Sequence, residues 1–289
     1  MDLESFNTSR ESLVPLLALN NKSNKNIIIF PTDKEAMEFS TDFSNLNKNI
    51  FHLPSWDTLS YDSFVPSFDI QGKRLEIAHL LLTNNNYNIA TSIKAISQRI
   101  YFEEIEICKI ELNEEIDFDS LIENLIHLKY QRKDRVESKG SFAIRGGQLD
   151  VYPINYDLPL RVIFDGDLVN EIKTFDTISQ RSISETNNIL VVPATELFQI
   201  QQSDILNLSS NNKENLDDYE LFQYSQNLEL EKCLLDLTSK ATLHIVDKNI
   251  VDNQLKEVID IEKDSFENLR QYFSLEIRNF KSRYKDISQ

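Results

Sequence analysis

The first hundred residues alternate short apolar runs with segments of helical pattern, and this alternation constrains the fold more than any other feature. An apolar run at residues 27–31 is followed by a helix-start pattern at Thr32 and Glu35. The same order then recurs: a strand at 50–53, a long loop to residue 70, a helix at about 71–82, a strand at 88–91 and a helix at 93–100. Strands that alternate with helices predict a parallel α/β sheet.

From residue 105 the pattern becomes that of a small α+β unit. Residues 105–110 alternate as in a half-buried strand, and residues 118–126 repeat at helical spacing behind Asp117, a candidate cap. Short strands bounded by Gly and Pro follow, at 141–144, 148–152, 160–164 and 168–173. Apolar runs at 189–192 and 243–246 then resemble the strand runs of the first hundred residues. We therefore expect a discontinuous first domain (1–106 and 191–289) with a smaller α+β domain (107–190) inserted in it.

The charge of the chain disfavours a free-standing nucleic-acid binder. Thirty basic residues against 47 acidic ones give a net charge of −17, which repels a phosphate backbone. The charge is uneven, because residues 127–181 carry nine Lys and Arg against eight Asp and Glu. Four of the five glycines lie in the same segment. The middle of the chain therefore presents a different surface from the rest.

Sequence motifs for catalysis, cofactors and metals are missing. Gly72 is the first glycine, so no phosphate-binding loop precedes it, and neither a G-x-G-x-x-G fingerprint nor a D-E-x-H box occurs. Cys108 and Cys233 have no nearby Cys or His at metal spacing, which favours buried thiols. We expect no cofactor, no metal and no enzymatic activity from this chain. Without a run of about 20 apolar residues or a basic leader, we expect a cytoplasmic protein that has no membrane partner.

Three segments together are specific for one family. They are PSWDTLSYDSFVP (54–66), GSFAIRGGQLDVYP (140–153), and LRVIFDGD (160–167) with SQRSI (179–183). In this order and spacing they resemble the N-terminal UvrB-homology module of bacterial transcription-repair coupling factors. The resemblance implies a degenerate helicase-like (RecA-like) parallel-sheet domain that has lost its nucleotide site. It also implies that the inserted α+β domain is a UvrB interaction domain, which binds the excision-repair protein UvrA.

UvrB itself shares the Arg-Gly-Gly segment and is the alternative. UvrB carries a phosphate-binding loop near its N-terminus and a long aromatic hairpin that inserts into DNA. This chain has no glycine before Gly72 and passes from Pro66 to a helix at Arg74 without room for such a hairpin. The coupling-factor resemblance is therefore favoured over a UvrB-like nucleic-acid-binding helicase lobe.

The resemblance implies that Arg145 and Arg161 contact UvrA. Guanidinium groups bind carboxylates bidentately and are frequent in interface hot spots. The plainer alternative is that Arg145 caps a turn and that Arg161 is a solvated strand residue. Asp165 departs from the family pattern, R-x-x-F-F, by placing a carboxylate where a second aromatic residue is usual. Asp165, Gly166 and Asp167 also suit a hairpin turn.

As a function, the resemblance implies recruitment of UvrA to stalled RNA polymerase in transcription-coupled nucleotide excision repair. RNA polymerase and DNA would be bound by regions of the full-length family protein that this chain does not contain. Trp56, Tyr61, Phe64 and Phe68 could stack on bases, but we expect this acidic chain to pack them on its first domain instead. Gln98 and Arg99 resemble a degenerate helicase segment, for which we expect a packing or ion-pairing role.

Overall fold

The protein is described by a computed structural model that covers residues 25–44, 50–58, 64–84, 86–100, 102, 104–200, 232–238 and 241–272, with side chains in the last helix to residue 264. The chain divides into two compact units. The first comprises Met1–Pro66, Ile77–Tyr101 and Ile200–Gln289, and the second comprises Ser67–Glu76 and Phe102–Gln199.

The first unit contains a four-stranded parallel sheet. Its strands are β1 (Lys25–Phe30), β2 (Phe51–Leu53), β3 (Tyr87–Ser92) and β12 (Thr242–Ile245), in the order β12-β1-β3-β2. The unit also contains helices α1 (Asp33–Ser44), α3 (Ile93–Ser97) and α5 (Lys248–Tyr272) and a 3-10 helix (Leu234–Leu237). Helix α2 (Phe68–Thr83) contributes its first residues to the second unit. The parallel α/β sheet predicted from the alternating pattern is therefore confirmed.

Burial of β1 explains why an uninterrupted apolar run forms a strand here. Ile27, Ile28 and Ile29 are at most 1% exposed, as expected for a parallel strand covered on both faces. Helix α1 begins as predicted, since the Thr32 hydroxyl accepts a hydrogen bond from the Glu35 N–H while the Glu35 carboxylate accepts one from the Thr32 N–H. Helix α3 ends at Ser97, three residues before the predicted end at 100, because residue 98 adopts an extended conformation.

The second unit contains a six-stranded, largely antiparallel sheet in the order β10-β9-β8-β7-β6-β5. The strands are β5 (Gln131–Arg132), β6 (Ser141–Arg145), β7 (Gln148–Tyr152), β8 (Leu160–Asp165), β9 (Leu168–Phe175) and β10 (Ser182–Glu185). A separate antiparallel pair joins β4 (Cys108–Glu111) to β11 (Asn188–Val191). Helix α4 (Phe118–His127) begins at the predicted cap, where the Asp117 carboxylate accepts a hydrogen bond from the Ser120 N–H at 2.8 Å.

The two faces of the six-stranded sheet differ in character. One face packs against α4 and the β4–β11 pair, and its residues form the core of the unit, including Leu149, Val151, Leu160, Val162 and Phe164. Because side chains alternate along a strand, the intervening residues lie on the opposite side, which we call the outer face. The outer face carries Arg145, Gln148, Asp150, Arg161, Ile163, Glu171 and Lys173 in cross-strand register.

Within the part of the chain that the structure describes, no helix combines the length and the apolar character that a bilayer crossing requires.

Candidate functional site

A tight turn presents Arg145 at one end of the outer face. Arg145 ends β6 and Gln148 begins β7, so Gly146 and Gly147 form a two-residue hairpin turn. Gly146 has a φ of +63°, which favours glycine, and a Cβ on Gly147 would lie 3.0 Å from the Phe164 carbonyl oxygen. Backbone geometry thus explains the two glycines of the Arg-Gly-Gly motif. The turn that they form fixes the position of Arg145 at the end of β6.

Arg145 itself is exposed. Its Nη2 donates a hydrogen bond to the Asp134 carbonyl oxygen at 3.2 Å, and it forms no ion pair with any described residue. A carbonyl partner leaves the positive charge uncompensated, so the guanidinium can still bind a carboxylate on another molecule. The contact with the 134 carbonyl also restrains the side chain, which fits the turn-capping alternative in part.

Arg161 is held on the sheet, in contrast to Arg145. Its Nε and Nη2 donate to the two carboxylate oxygens of Asp150 at 2.7 and 2.8 Å, and its Nη1 donates to the Gln180 carbonyl oxygen at 3.2 Å. The guanidinium lies 4.5 Å from the centre of the Phe175 ring. Hydrogen bonding to Asp150 raises the pKa of Arg161. With a side chain only 15% exposed, Arg161 is not the solvated strand residue that the plainer alternative predicted.

Asp150 is the partner that sequence reasoning missed. Its side chain is 5% exposed, and the Gln148 side-chain amide donates to both of its carboxylate oxygens at 3.0 and 3.1 Å. The register that pairs Asp150 with Arg161 also pairs Gln148 with Ile163. The Gln-x-Asp spacing in β7 indicated that Gln148 and Asp150 lie on one face of the sheet. Only the β7–β8 register shows that Arg161 lies opposite Asp150.

Asp165 lies at the hairpin turn that the sequence predicted. It is exposed and ends β8, pairing with Leu168 across a two-residue turn in which Gly166 has a φ of +62°. Phe164 points to the core face, where its ring meets that of Phe118 edge to face at 5.0 Å. Alternation then places Asp165 on the side of the sheet that carries Arg161.

Ion pairs continue across the outer face on the β9 side of Arg161. Lys173, which pairs with Arg161 in register, contacts the carboxylates of Glu171 and Glu185. Hydrogen bonding to Glu171 raises the pKa of Lys173. Charges in this part of the face are therefore compensated within the chain, whereas the end that carries Arg145 keeps an uncompensated cation.

In the first unit, polar residues meet at the carboxyl edge of the parallel sheet. The Asp33 carboxylate accepts hydrogen bonds from the Ser92 hydroxyl at 2.6 Å, from the Ser55 N–H at 3.2 Å and from the Ser55 hydroxyl. These residues follow or end β1, β2 and β3. Open α/β sheets bind phosphates at this edge, often at a helix N-terminus. Here a carboxylate at the start of α1 takes that position.

The predicted packing of the aromatic residues that follow β2 is confirmed only in part. Trp56 is buried, and its backbone N–H donates to the Gln98 side-chain oxygen at 3.0 Å, which agrees with the predicted packing role of both residues. Phe64 is 69% exposed and Phe68 is 43% exposed, so the packing prediction is wrong for Phe64 and only partly right for Phe68. Phe64 lies at a bend four residues before helix α2 begins at Phe68. Tyr61 lies outside the described residues.

Both cysteines are buried free thiols, as predicted. Burial raises the pKa of Cys108 and of Cys233 to about 11, so both are protonated at neutral pH and unsuited to nucleophilic or metal-binding roles. Among the described residues, no three His, Cys, Asp or Glu side chains are grouped so as to hold a metal ion.

Comparison with known proteins finds a domain family that matches most of the second unit. Residues 108–197, which include Arg145, Arg161 and Asp165, match the UvrB interaction domain family. Most of the chain is homologous to transcription-repair-coupling factors of many bacteria. It is 27% identical to the Bacillus subtilis protein over 86% of this chain and 24% of the relative, and 29% identical to the Escherichia coli protein over 59% of this chain and 15% of the relative. The resemblance stated from the sequence is therefore confirmed.

UvrB-type proteins are related as well. The UvrABC system protein B of Thermosipho africanus is 22% identical over 61% of this chain and 29% of its own length. In each of these comparisons the chain spans less than a third of the relative.

Proposed function

We propose that this chain is an adaptor in transcription-coupled nucleotide excision repair, which recruits UvrA to stalled RNA polymerase. The proposal is supported by the UvrB interaction domain at residues 108–197 and by the homology to transcription-repair-coupling factors and to UvrABC system protein B. The outer face of the six-stranded sheet is the surface that would bind UvrA.

One observation carries the proposal, namely the exposed guanidinium of Arg145 at the end of that face. It stands on a turn fixed by two glycines and is not neutralised by a described carboxylate. Arg161 contributes differently. Because Asp150 engages two of its nitrogen atoms, Arg161 acts chiefly by holding β7 and β8 in register and offers UvrA only a small exposed edge.

The first unit is proposed to be a degenerate, discontinuous RecA-like domain without a motor. Strand β12, which follows the UvrB interaction domain in sequence, pairs with β1 in parallel, as a discontinuous domain requires. The Asp33 carboxylate at the carboxyl edge would repel a nucleotide phosphate. Contacts with RNA polymerase and DNA are assigned to regions of a coupling factor outside this chain, and the encounter would take place in the cytoplasm.

A UvrB-like lobe that binds nucleotide and DNA is the alternative, and the homology to UvrABC system protein B favours it. The Asp33 cluster and the net charge of −17 oppose it. Calorimetry with Mg-ATP separates the two proposals. The adaptor gives no heat of binding, whereas a dissociation constant tighter than about a millimolar or lesion-selective DNA binding in 150 mM salt would establish the alternative.

A titration of cognate UvrA tests the adaptor role directly. The wild-type chain is expected to bind, and Arg145→Ala is expected to weaken binding by about 1 to 3 kcal/mol, as for a charged interface contact. Lys109→Ala is the control, since Lys109 is a cation of the same domain whose side chain is 62% exposed on β4 and, unlike Arg145, is paired with a carboxylate, that of Glu111. Full UvrA affinity in a folded Arg145→Ala variant would refute the assignment of this face.

A further inference from the structure

The loop that connects β9 to β10 exposes an apolar side chain on the outer face. Ile178 is 86% exposed, the highest value among the large apolar residues of the described chain. Its loop, residues 176–181, lies on the outer face because the Arg161 Nη1 donates to the Gln180 carbonyl oxygen at 3.2 Å. An isolated exposed isoleucine is ordinary, so the significance of Ile178 depends on how it is held.

The backbone of the loop is closed by its own hydrogen bonds. The Asp176 carboxylate accepts from the Ser179 N–H at 2.7 Å, and the Asp176 carbonyl accepts from the Gln180 N–H at 2.8 Å. Gln180 adopts a φ of +61°, a left-handed conformation that non-glycine residues adopt only when their surroundings impose it. The hydrogen bond from Ser179 lowers the pKa of Asp176. Ile178 is therefore presented by an ordered turn.

The side chain of Arg135 fixes the tip of this turn from outside. Its Nη2 donates to the carbonyl oxygens of Thr177 and Ile178 at 2.8 and 3.0 Å. The residue before it, Asp134, supplies the carbonyl that Arg145 contacts. Arg145 and Arg161 are thus both linked to the Ile178 loop, Arg145 through residues 134–135 and Arg161 directly.

Two guanidinium groups contact this loop, Arg135 at the Thr177 and Ile178 carbonyls and Arg161 at the Gln180 carbonyl, although the Ile178 side chain itself is 86% exposed. An apolar residue held rigid before binding loses little conformational entropy when it enters a pocket, and interface hot spots are such anchors surrounded by polar contacts. Arg135 and Arg161 supply the polar surroundings here. Asp165, at the position where the family resemblance implies an aromatic contact, supplies no apolar group.

We propose that Ile178 is the apolar anchor of the UvrA-binding face and that Arg135 is the residue that positions it. The surface it would meet on UvrA is an apolar pocket with polar groups at its rim. This chemistry complements an isoleucine set among polar side chains, including Arg135, which pairs with Glu137, and Arg161, which pairs with Asp150. This inference rests on the proposed function, and it shifts the apolar part of the contact from position 165 to the Ile178 loop.

The test measures UvrA affinity for Ile178→Ala and Ile178→Asp in the full chain. We expect Ile178→Ala to weaken binding about tenfold and Ile178→Asp to weaken it further, with unchanged thermal unfolding because the side chain is 86% exposed. Ile126→Ala is the matched control, since Ile126 is 54% exposed on α4, and its affinity should stay within about twofold of wild type.

A double-mutant cycle tests the positioning role of Arg135. If Arg135 acts by holding Ile178, Arg135→Ala weakens binding in the wild-type background and has little further effect in Ile178→Ala. Equal losses in both backgrounds would show that Arg135 contacts UvrA independently and would overturn its positioning role.

The possible results distinguish the role of Ile178 as an anchor from the proposed adaptor function. Unchanged affinity in Ile178→Ala, together with a loss in Arg145→Ala, overturns the anchor while the adaptor role stands. A wild-type chain that does not bind UvrA overturns both. Sedimentation velocity without UvrA identifies another occupant: self-association that Ile178→Ala abolishes would show that the loop binds a second copy, which also overturns the proposal.

Discussion

The carboxyl edge of the parallel sheet and the outer face of the six-stranded sheet both carry charged residues where such sheets can bind partners, but they use the charges differently. At the carboxyl edge, Asp33 accepts three hydrogen bonds from residues of its own chain. At the outer face, Arg145 donates to a backbone carbonyl and stays exposed. A charge satisfied internally stabilises the fold, whereas an exposed and uncompensated one is suited to recognition.

The outer face contains the same contrast within itself. Arg161 is mostly buried and paired with Asp150, whereas Arg145 is exposed at one end of the face. The two arginines that the family resemblance treats as equivalent therefore differ physically. Substitution of Arg161 should affect stability and binding together, so Arg145 gives the cleaner test of recognition.

The largest effect is expected from Asp150→Ala. Removing this carboxylate leaves the Arg161 guanidinium, 15% exposed, without its bidentate partner, and breaking such a pair costs several kcal/mol. We expect the free energy of unfolding to fall by about 3 kcal/mol, measured by urea denaturation. Asp165→Ala, which removes an exposed carboxylate from the same face, should change it by less than about 0.5 kcal/mol. Similar losses for both variants would show that the Arg161 pair contributes no special stability.

The second effect comes from pH and compares the two units, each of which contains one buried thiol. The pKa of each folded thiol is about 11, raised above that of an unfolded cysteine. A raised pKa means that the stabilisation is complete below the unfolded value and is lost as pH rises toward the folded one. Between about pH 9 and pH 10.5 the free energy of unfolding should fall by roughly 1.5 kcal/mol per thiol.

Alkaline urea denaturation measures this effect, and single-cysteine variants assign it. Cys108→Ala should remove the contribution of the UvrB interaction domain, and Cys233→Ala should remove that of the first unit. A stability that does not change over this pH range would contradict the burial assigned to both thiols.

The third effect tests whether the Asp33 cluster is structural. Asp33→Ala removes the acceptor that three donors share, and we expect a loss of about 1 to 2 kcal/mol in unfolding free energy, with unchanged affinity for UvrA. Asp33→Asn retains one acceptor oxygen and should lose less. If either variant gained measurable Mg-ATP binding, the carboxylate would prove to be the barrier to a nucleotide site rather than a structural group alone.

The smallest effect concerns position 165. If Asp165 occupies the place of the family's second aromatic residue, Asp165→Phe should strengthen UvrA binding by about 1 kcal/mol through added apolar contact. If its role is confined to the hairpin turn, the same change lowers the melting temperature and leaves the affinity unchanged. Parallel binding and thermal-unfolding measurements on one preparation distinguish the two results.

The sequence predicted the elements whose signals are local. The apolar run of β1, the helix start at Thr32 and the glycine turns at 146–147 and 166 follow from neighbouring residues alone, and all were found. Strands β5 and β10 were missed because they are short, exposed edge strands without apolar alternation. Helix α3 was predicted too long because the contact of Gln98 with Trp56 involves residues 42 positions apart.

The candidate site was predictable to a similar degree. Arg145 and the Asp165 turn were located from glycine motifs and the family resemblance. The pairing of Arg161 with Asp150 depends on strand register, and the cluster around Asp33 joins residues that follow or end three strands. Polar residues directly after buried strands were visible in the sequence and could have indicated that cluster. Ile178 had no sequence signal, since its exposure depends on how its loop folds.

Amide hydrogen exchange of the chain with and without cognate UvrA tests the central contrast most directly. We expect UvrA to slow exchange in two loops, residues 133–138 between β5 and β6, where Val136 packs with Ala143 and Phe175, and residues 176–181 between β9 and β10. Exchange at the carboxyl edge near residues 33, 55 and 92 should stay unchanged. Two results would contradict the assignment of the outer face as the binding surface. One is protection confined to the carboxyl edge, and the other is exchange in both loops that is the same with saturating UvrA as without it.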